Sequence, residues 1–185
     1  MGALMDERKY TVRDIEELPE GTRAELIDGE MYMMASPSRS HQRVLLKLGR
    51  LIGDYIDSKG GKCEVNIAPF AVYLFNDDLN YFEPDITVVC DPKKLDDKGC
   101  HGAPDWVIEI VSPGSQRMDY ILKNYKYGEA GVREYWIVDN DRRKVRCYDL
   151  NSGATEEYSF TETVKVGIYD DLSIDLNEIA KVLEG

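Results

Sequence analysis

Two short apolar runs, one with Asp85 at its mouth and one interrupted by Glu109, restrict this chain more than any other feature. Residues 82–89 read FEPDITVV and residues 104–112 read PDWVIEIVS. Both are apolar on successive positions, the pattern of central strands covered on both faces. A chain with two such strands needs a sheet with a layer packed on each side. Side chains two apart share a face, so Asp85, Thr87 and Val89 point one way, and Val107, Glu109 and Val111 share a face of the other run. If the two strands pair, both acids meet on one side of the sheet. Two desolvated carboxylates that close repel each other, so one takes a proton or a cation sits between them. The alternative is that each is neutralised separately by Arg or Lys, or lies at an exposed strand end. Both readings stand at this point. Oxygen ligands favour Mg²⁺, with Mn²⁺ as a substitute, over zinc.

The rest of the chain supplies the layers. YTVRDIEELPEG reads as a short helix stopped near Pro19 and Gly21, and AELIDGEMYMMAS as a hairpin about Asp28-Gly29. The clearest helix follows Ser38. At 100° per residue, His41, Val44, Leu45, Leu48, Leu51, Ile52 and Tyr55 form one stripe, with Arg39, Arg43, Lys47 and Arg50 opposite, and Gly60-Gly61 ends it. CEVNIAPFAVYLF is a strand with a break at its proline. After Pro113-Gly114 a helix is expected over residues 117–130, with Met118, Ile121, Leu122 and Tyr125 inward and Gly131 as its stop. VREYWIVD, KVRCYDL and TEEYSF read as a meander, and the chain ends in a short helix with Asp175 as its N-cap. At 185 residues and 43% hydrophobic, this is one α+β domain, a mixed sheet with helices on its faces.

No run approaches the roughly 18 residues that a membrane span needs. MGALMDERKY lacks the basic-then-apolar pattern of a signal peptide, so a cytoplasmic location is expected. Cys63, Cys90, Cys100 and Cys147 have no C-x-x-C spacing and are expected to be reduced thiols.

Pro84-Asp85, then Glu109 in an apolar strand, then a helix and a strand: this order resembles the PD-(D/E)xK, or restriction-endonuclease-like, superfamily. More closely, RAELIDGE, SPSRSHQ, EPDITVVCD, GAPDWVIEIVSP and DYILKNYKYGEAGVREYWIVD are similar to the Uma-two family of bacterial endonucleases. The resemblance runs from about Tyr10 to Tyr148. It implies a restriction-endonuclease-like mixed β-sheet flanked by helices, with N-terminal strands and a C-terminal β-meander, and an endonuclease that hydrolyses phosphodiester bonds. It further implies that Asp85 and Glu109, with the main-chain carbonyl of Ile110, hold Mg²⁺. The superfamily's lysine two residues after the glutamate is here Val111, but this branch carries the lysine on the next helix, where Lys123 stands. Glu25 resembles the family's additional acid, and His41 in that pattern is a proton acceptor or phosphate donor. The ordinary alternatives are a solvated strand acid for Glu25, a satisfied core histidine for His41, an exposed lysine paired with Asp119 for Lys123, and a loop residue for His101.

Charge bears on the partner. With 35 acids against 23 bases the net charge is −12, which repels phosphate at long range. Any nucleic-acid contact must therefore be local, within a Debye length of roughly 8 Å. The stripe of Arg39, Arg43, Lys47 and Arg50 is one candidate, and Arg142, Lys144 and Arg146 on one strand face are another, each with a solvated-surface alternative. DNA is the expected partner and a homodimer the expected assembly, since related nuclease folds act on two strands as pairs. The rival is a nuclease-fold module that binds nucleic acid or a protein without cutting. A third reading makes the acid pair a purely structural feature.

Overall fold

The computed structural model describes residues 8–112 and 114–184. Most of the N-terminal stretch read for a leader, and Pro113, lie outside the described residues. Helix α1 (Val12–Glu16) precedes a hairpin of β1 (Ala24–Ile27) and β2 (Glu30–Met33). Its turn residues Asp28 and Gly29 both have positive φ, 52° and 84°, the conformation that favours this dipeptide in a tight hairpin. Helix α2 (Arg39–Lys59) is capped by the Ser38 side chain and stopped by Gly60 in the left-handed region. Strands β3 (Glu64–Ile67) and β4 (Val72–Tyr73) are separated by a cis Ala68-Pro69 bond. Then come β5 (Ile86–Val89), β6 (Leu95–Asp96), β7 (Gly99–His101) and β8 (Trp106–Val111). A π-helical stretch (Met118–Lys123) runs into α3 (Asn124–Ala130), followed by the meander β9 (Glu134–Asp139), β10 (Lys144–Asp149) and β11 (Ala154–Ser159). A hairpin of β12 (Thr163–Lys165) and β13 (Ser173–Asp175) leads to α4 (Asn177–Glu184).

The main sheet is six-stranded, in the order β11-β10-β9-β8-β5-β3. Only β8 and β9 run parallel, joined over the sheet by α3; the other pairs are antiparallel. Strands β5 and β8 are central, and every residue of both is buried. One face packs Val44, Leu45, Leu48 and Ile52 of α2 against Ile86, Val88, Ile108 and Ile110. The other sets Val89, Val107 and Val111 against Tyr127 of α3, Tyr135 of β9 and Phe82. Continuous apolar runs therefore follow from having two faces to fill.

Three expectations are corrected. Ile121 and Tyr125, expected inward, are 64% and 65% exposed, while Asp119, Lys123 and Tyr127 are buried. The π-helical stretch takes a smaller angular step than the 100° on which the wheel was drawn, and turns the polar stripe toward the sheet. Cys63 and Cys90 form a disulfide rather than two thiols. They lie one step beyond the pair Glu64 and Val89 in the antiparallel register of β3 and β5, which brings them face to face. Finally, the C-terminal stretch begins as strand β13, and α4 starts only at Asn177, whose amide donates to Asp175.

Candidate active site

The register of β5 and β8 pairs Ile86 with Ile108, so the next step sets Asp85 opposite Glu109. The strand ladder of β5 ends there, and the Asp85 side chain continues it: Oδ2 accepts the Ile110 amide at 2.7 Å. The same oxygen lies 3.1 Å from Nε2 of His41, which the first turn of α2 carries over the end of the strand. His41 is thus bonded to Asp85, a contact that the site role and the satisfied core histidine share. Its Nδ1 is buried without a partner among the described residues. Glu109 approaches Asp85 from the side, with Oε2 3.5 Å from the Asp85 amide.

Glu109 Oε1 accepts two bonds from the helix beyond β8, one from Nζ of Lys123 and one from the hydroxyl of Tyr127, both at 2.9 Å. The Lys123 ammonium also sits 2.7 Å from Oε2 of Glu25 and 3.6 Å from Oδ1 of Asp119. Glu25 is fixed on β1, where its Oε1 accepts the Glu83 amide at 3.0 Å. Neither Glu25 nor Lys123 is the solvated surface residue of the ordinary reading: each is 4% exposed. Asp85, Glu109, Lys123, Glu25 and His41 come together in one place, from five separate segments of the chain. His101 is apart from them, stacked on Tyr73 and paired with Asp96. Asp119, read from the sequence only as the pairing partner of an exposed Lys123, and Tyr127 are members of the same buried cluster. Their signal was the spacing of four residues on either side of Lys123.

The electrostatics follow from burial. Desolvation pushes the Glu109 carboxyl well above the usual carboxylate range, and Asp119, Asp85 and Glu25 add to this while Lys123 opposes it. Asp119 is raised for the same first reason. Burial alone would lower the Lys123 ammonium, but Glu109, Glu25 and Asp119 outweigh it and hold the pKa well above that of a free lysine. Lys123 is therefore a permanent cation.

The sequence profile of the Uma2 family, described as "Putative restriction endonuclease", matches residues 12–177. The chain belongs to the Uma2 family. It is 27% identical over 128 residues to the uncharacterized protein slr1290 of Synechocystis, covering 69% of this chain and 66% of that protein. It is 25% identical over 132 residues to sll1609 of the same organism, covering 68% and 71%. The matches thus span about two thirds of those relatives' length. In fold it is similar to the crystal structure of "a putative nuclease belonging to DUF820" from Anabaena variabilis, with a TM-score of 0.77 at 20% identity over 94% of this chain and 98% of that one. The restriction-endonuclease-like architecture expected from the sequence is the one found.

A divalent ion, which such nucleases generally use, has to suit these residues. Glu25, Glu109 and Asp119 face one ammonium, and Asp85 stands beside Glu109, paired with His41. Among the described residues no group of three or more His, Cys, Asp and Glu is arranged to hold a metal ion. Asp85 and Glu109, the carboxylate pair expected from the sequence, are oxygen donors of the kind that suits Mg²⁺, an ion that keeps several waters and takes one or two carboxylates, better than zinc or calcium. Of the two basic patches, Lys47 is engaged by Glu178 at 2.8 Å, and Lys144 and Arg146 both pair with Glu157.

Proposed function

We propose that this Uma2-family chain is a Mg²⁺-dependent endonuclease hydrolysing phosphodiester bonds in DNA, with Mn²⁺ able to substitute. The observation that carries this reading is the convergence of Asp85 and Glu109, on paired central strands, beside the buried Lys123 ammonium. Asp85 and Glu109, with the main-chain carbonyl of Ile110, would hold the ion. When bound, it supplies a polarised phosphoryl oxygen and a water of lowered pKa. The chain's own groups do the rest. The Ile110 amide and His41 fix the Asp85 carboxylate, so it is oriented before any ligand arrives. Glu25 holds the Lys123 ammonium beside Glu109, where it adds positive charge for a non-bridging phosphate oxygen. Tyr127 restrains Glu109 from the far side.

A second reading, a nuclease-fold module that binds without cutting, draws on Val111 in place of the superfamily's lysine and on the engagement of Lys123 by three acids. Cleavage of single-stranded, duplex and branched DNA in Mg²⁺ or Mn²⁺ by wild type, Asp85→Ala and Lys123→Ala separates the two. Endonuclease action requires cutting by wild type that both variants lose. Activity surviving in Asp85→Ala marks a contaminant, and metal binding with no cutting on any substrate favours the binding module. Sedimentation of the full chain, with and without DNA, tests the homodimer.

A further inference from the structure

The cluster already contains a cation, and that cation is on the wrong residue for a second one to enter unopposed. Lys123 Nζ is 2.9 Å from Glu109 Oε1 and 2.7 Å from Glu25 Oε2. Its third hydrogen has only Asp119 in prospect, at 3.6 Å, outside hydrogen-bonding distance. Glu109 is therefore shared: Lys123 holds one side of it, and the other side faces Asp85. A divalent ion seated on Asp85 and Glu109 meets a unit positive charge on the same carboxylate, and in a buried site that repulsion is poorly screened.

Asp119 is placed to relieve it. It is 3% exposed, and among the described residues Lys123 is its only ion-pair partner, one turn away on the π-helical stretch. Its main-chain amide is tied to the Ser115 carbonyl at 3.0 Å, and its carbonyl accepts the Tyr135 hydroxyl at 3.1 Å. The acid is thus fixed beside the ammonium without yet being bonded to it. Resting on the ion site proposed above, we propose that Lys123 is the resident counter-ion of the cluster and competes with the divalent ion for Glu109. Asp119 is then the positioning residue that takes over the ammonium when the ion enters. Glu25 stays bonded throughout, so Lys123 pivots within the cluster and remains beside the site.

Calorimetric titration of Mn²⁺ into the full chain reads this without any activity. Wild type binds, and Asp85→Ala loses binding. Lys123→Met, which keeps the stem and removes the charge, binds at least about tenfold more tightly. Asp119→Asn weakens binding in wild type and does so less in the Lys123→Met background, because its role runs through the lysine. Equal or weaker binding by Lys123→Met overturns the competition. An equal loss from Asp119→Asn in both backgrounds overturns the positioning role. A wild type that binds no Mn²⁺ removes the ion site itself and this inference with it. Should Lys123→Met fail to fold, the crystal structure of wild type with Ca²⁺ decides. Nζ moved off Glu109 and within hydrogen-bond reach of Asp119 supports the inference, and unchanged contacts overturn it.

Discussion

Tyr127→Phe isolates the contribution of a single buried hydroxyl to the cluster. The ring is fully buried, packed edge-on to Tyr135 at 4.9 Å between centroids and tilted against Phe82 at 5.6 Å. Phenylalanine fills that volume, so the packing survives and only the 2.9 Å bond to Glu109 is lost. Burial, then Glu109, pushes the phenol pKa far up, so the hydroxyl is always a donor. Removing one partner of a buried hydrogen bond costs about 1–3 kcal/mol, and Lys123 remains on the same oxygen, so the lower half of that range applies. The expected loss is about 1–2 kcal/mol, or roughly 2–8 °C in Tm for a chain of this length. Tyr135→Phe is the control: its hydroxyl donates to a neutral carbonyl, that of Asp119, at 3.1 Å, and its loss should cost about 0.5–1.5 kcal/mol. Urea unfolding measures both as shifts in midpoint at unchanged slope. A Tyr127→Phe protein within about 0.5 kcal/mol of wild type, or one less affected than Tyr135→Phe, would refute the assignment of the buried Glu109 carboxyl as the acceptor.

Reduction should destabilise the chain: the Cys63–Cys90 bond closes a loop of sequence separation 27, corresponding to about 3.5 kcal/mol in the chain-entropy account. Urea midpoints that coincide with and without reductant would show that the bond is not formed in solution. Gly99→Ala should lose at least about 2 kcal/mol, since its φ of +144° is foreign to alanine and the new Cβ would stand 2.3 Å from the Ala71 carbonyl oxygen, a main-chain atom that has nowhere to go. An unchanged Tm sinks that estimate. Binding of uncleaved DNA in Ca²⁺ should show a shallow salt dependence, a log–log slope of about −3 or less, because Lys47, Lys144 and Arg146 are engaged by glutamates; a slope steeper than about −6 would reveal a basic footprint that these contacts do not offer.

Where pattern and local chemistry agree, the sequence was readable. The Asp28-Gly29 turn, the apolar stripe of α2 with its Gly60 stop, and the two-faced runs of β5 and β8 each depend on neighbours within a few residues, and each is where the pattern put it. The misreadings share another cause. A helical wheel assumes a constant angular step, and the π-helical stretch breaks that assumption at Lys123 itself, so Ile121 and Tyr125 were placed inward. For Glu25 and Lys123 the sequence left a site role and a surface role both open, because charges in a window are normally exposed. Their reason for being buried is each other, and they are far apart in sequence. The disulfide needed the β3–β5 register, which spacing alone does not supply.

The site is also where the chain departs most from the rules it follows elsewhere. A buried ion cluster is weak evidence for stability, since desolvating the charges costs about as much as their attraction returns, and apolar replacements of similar volume are often neutral or better. Here the balance is worse than for a simple pair, because Lys123 faces Glu25, Glu109 and Asp119 at once while Asp85 stands beside them. A fold seeking only stability would have continued the runs around Asp85 and Glu109 with the Val and Ile that surround them. Four acids arriving from β1, the mouth of β5, β8 and the π-helical stretch instead concentrate negative charge where the β5–β8 ladder ends. Burial raises the Glu109 and Asp119 carboxyls, so a shared proton offsets part of that excess, and on the reading proposed above a divalent cation would offset it when bound, with Lys123 holding the acids together beside it.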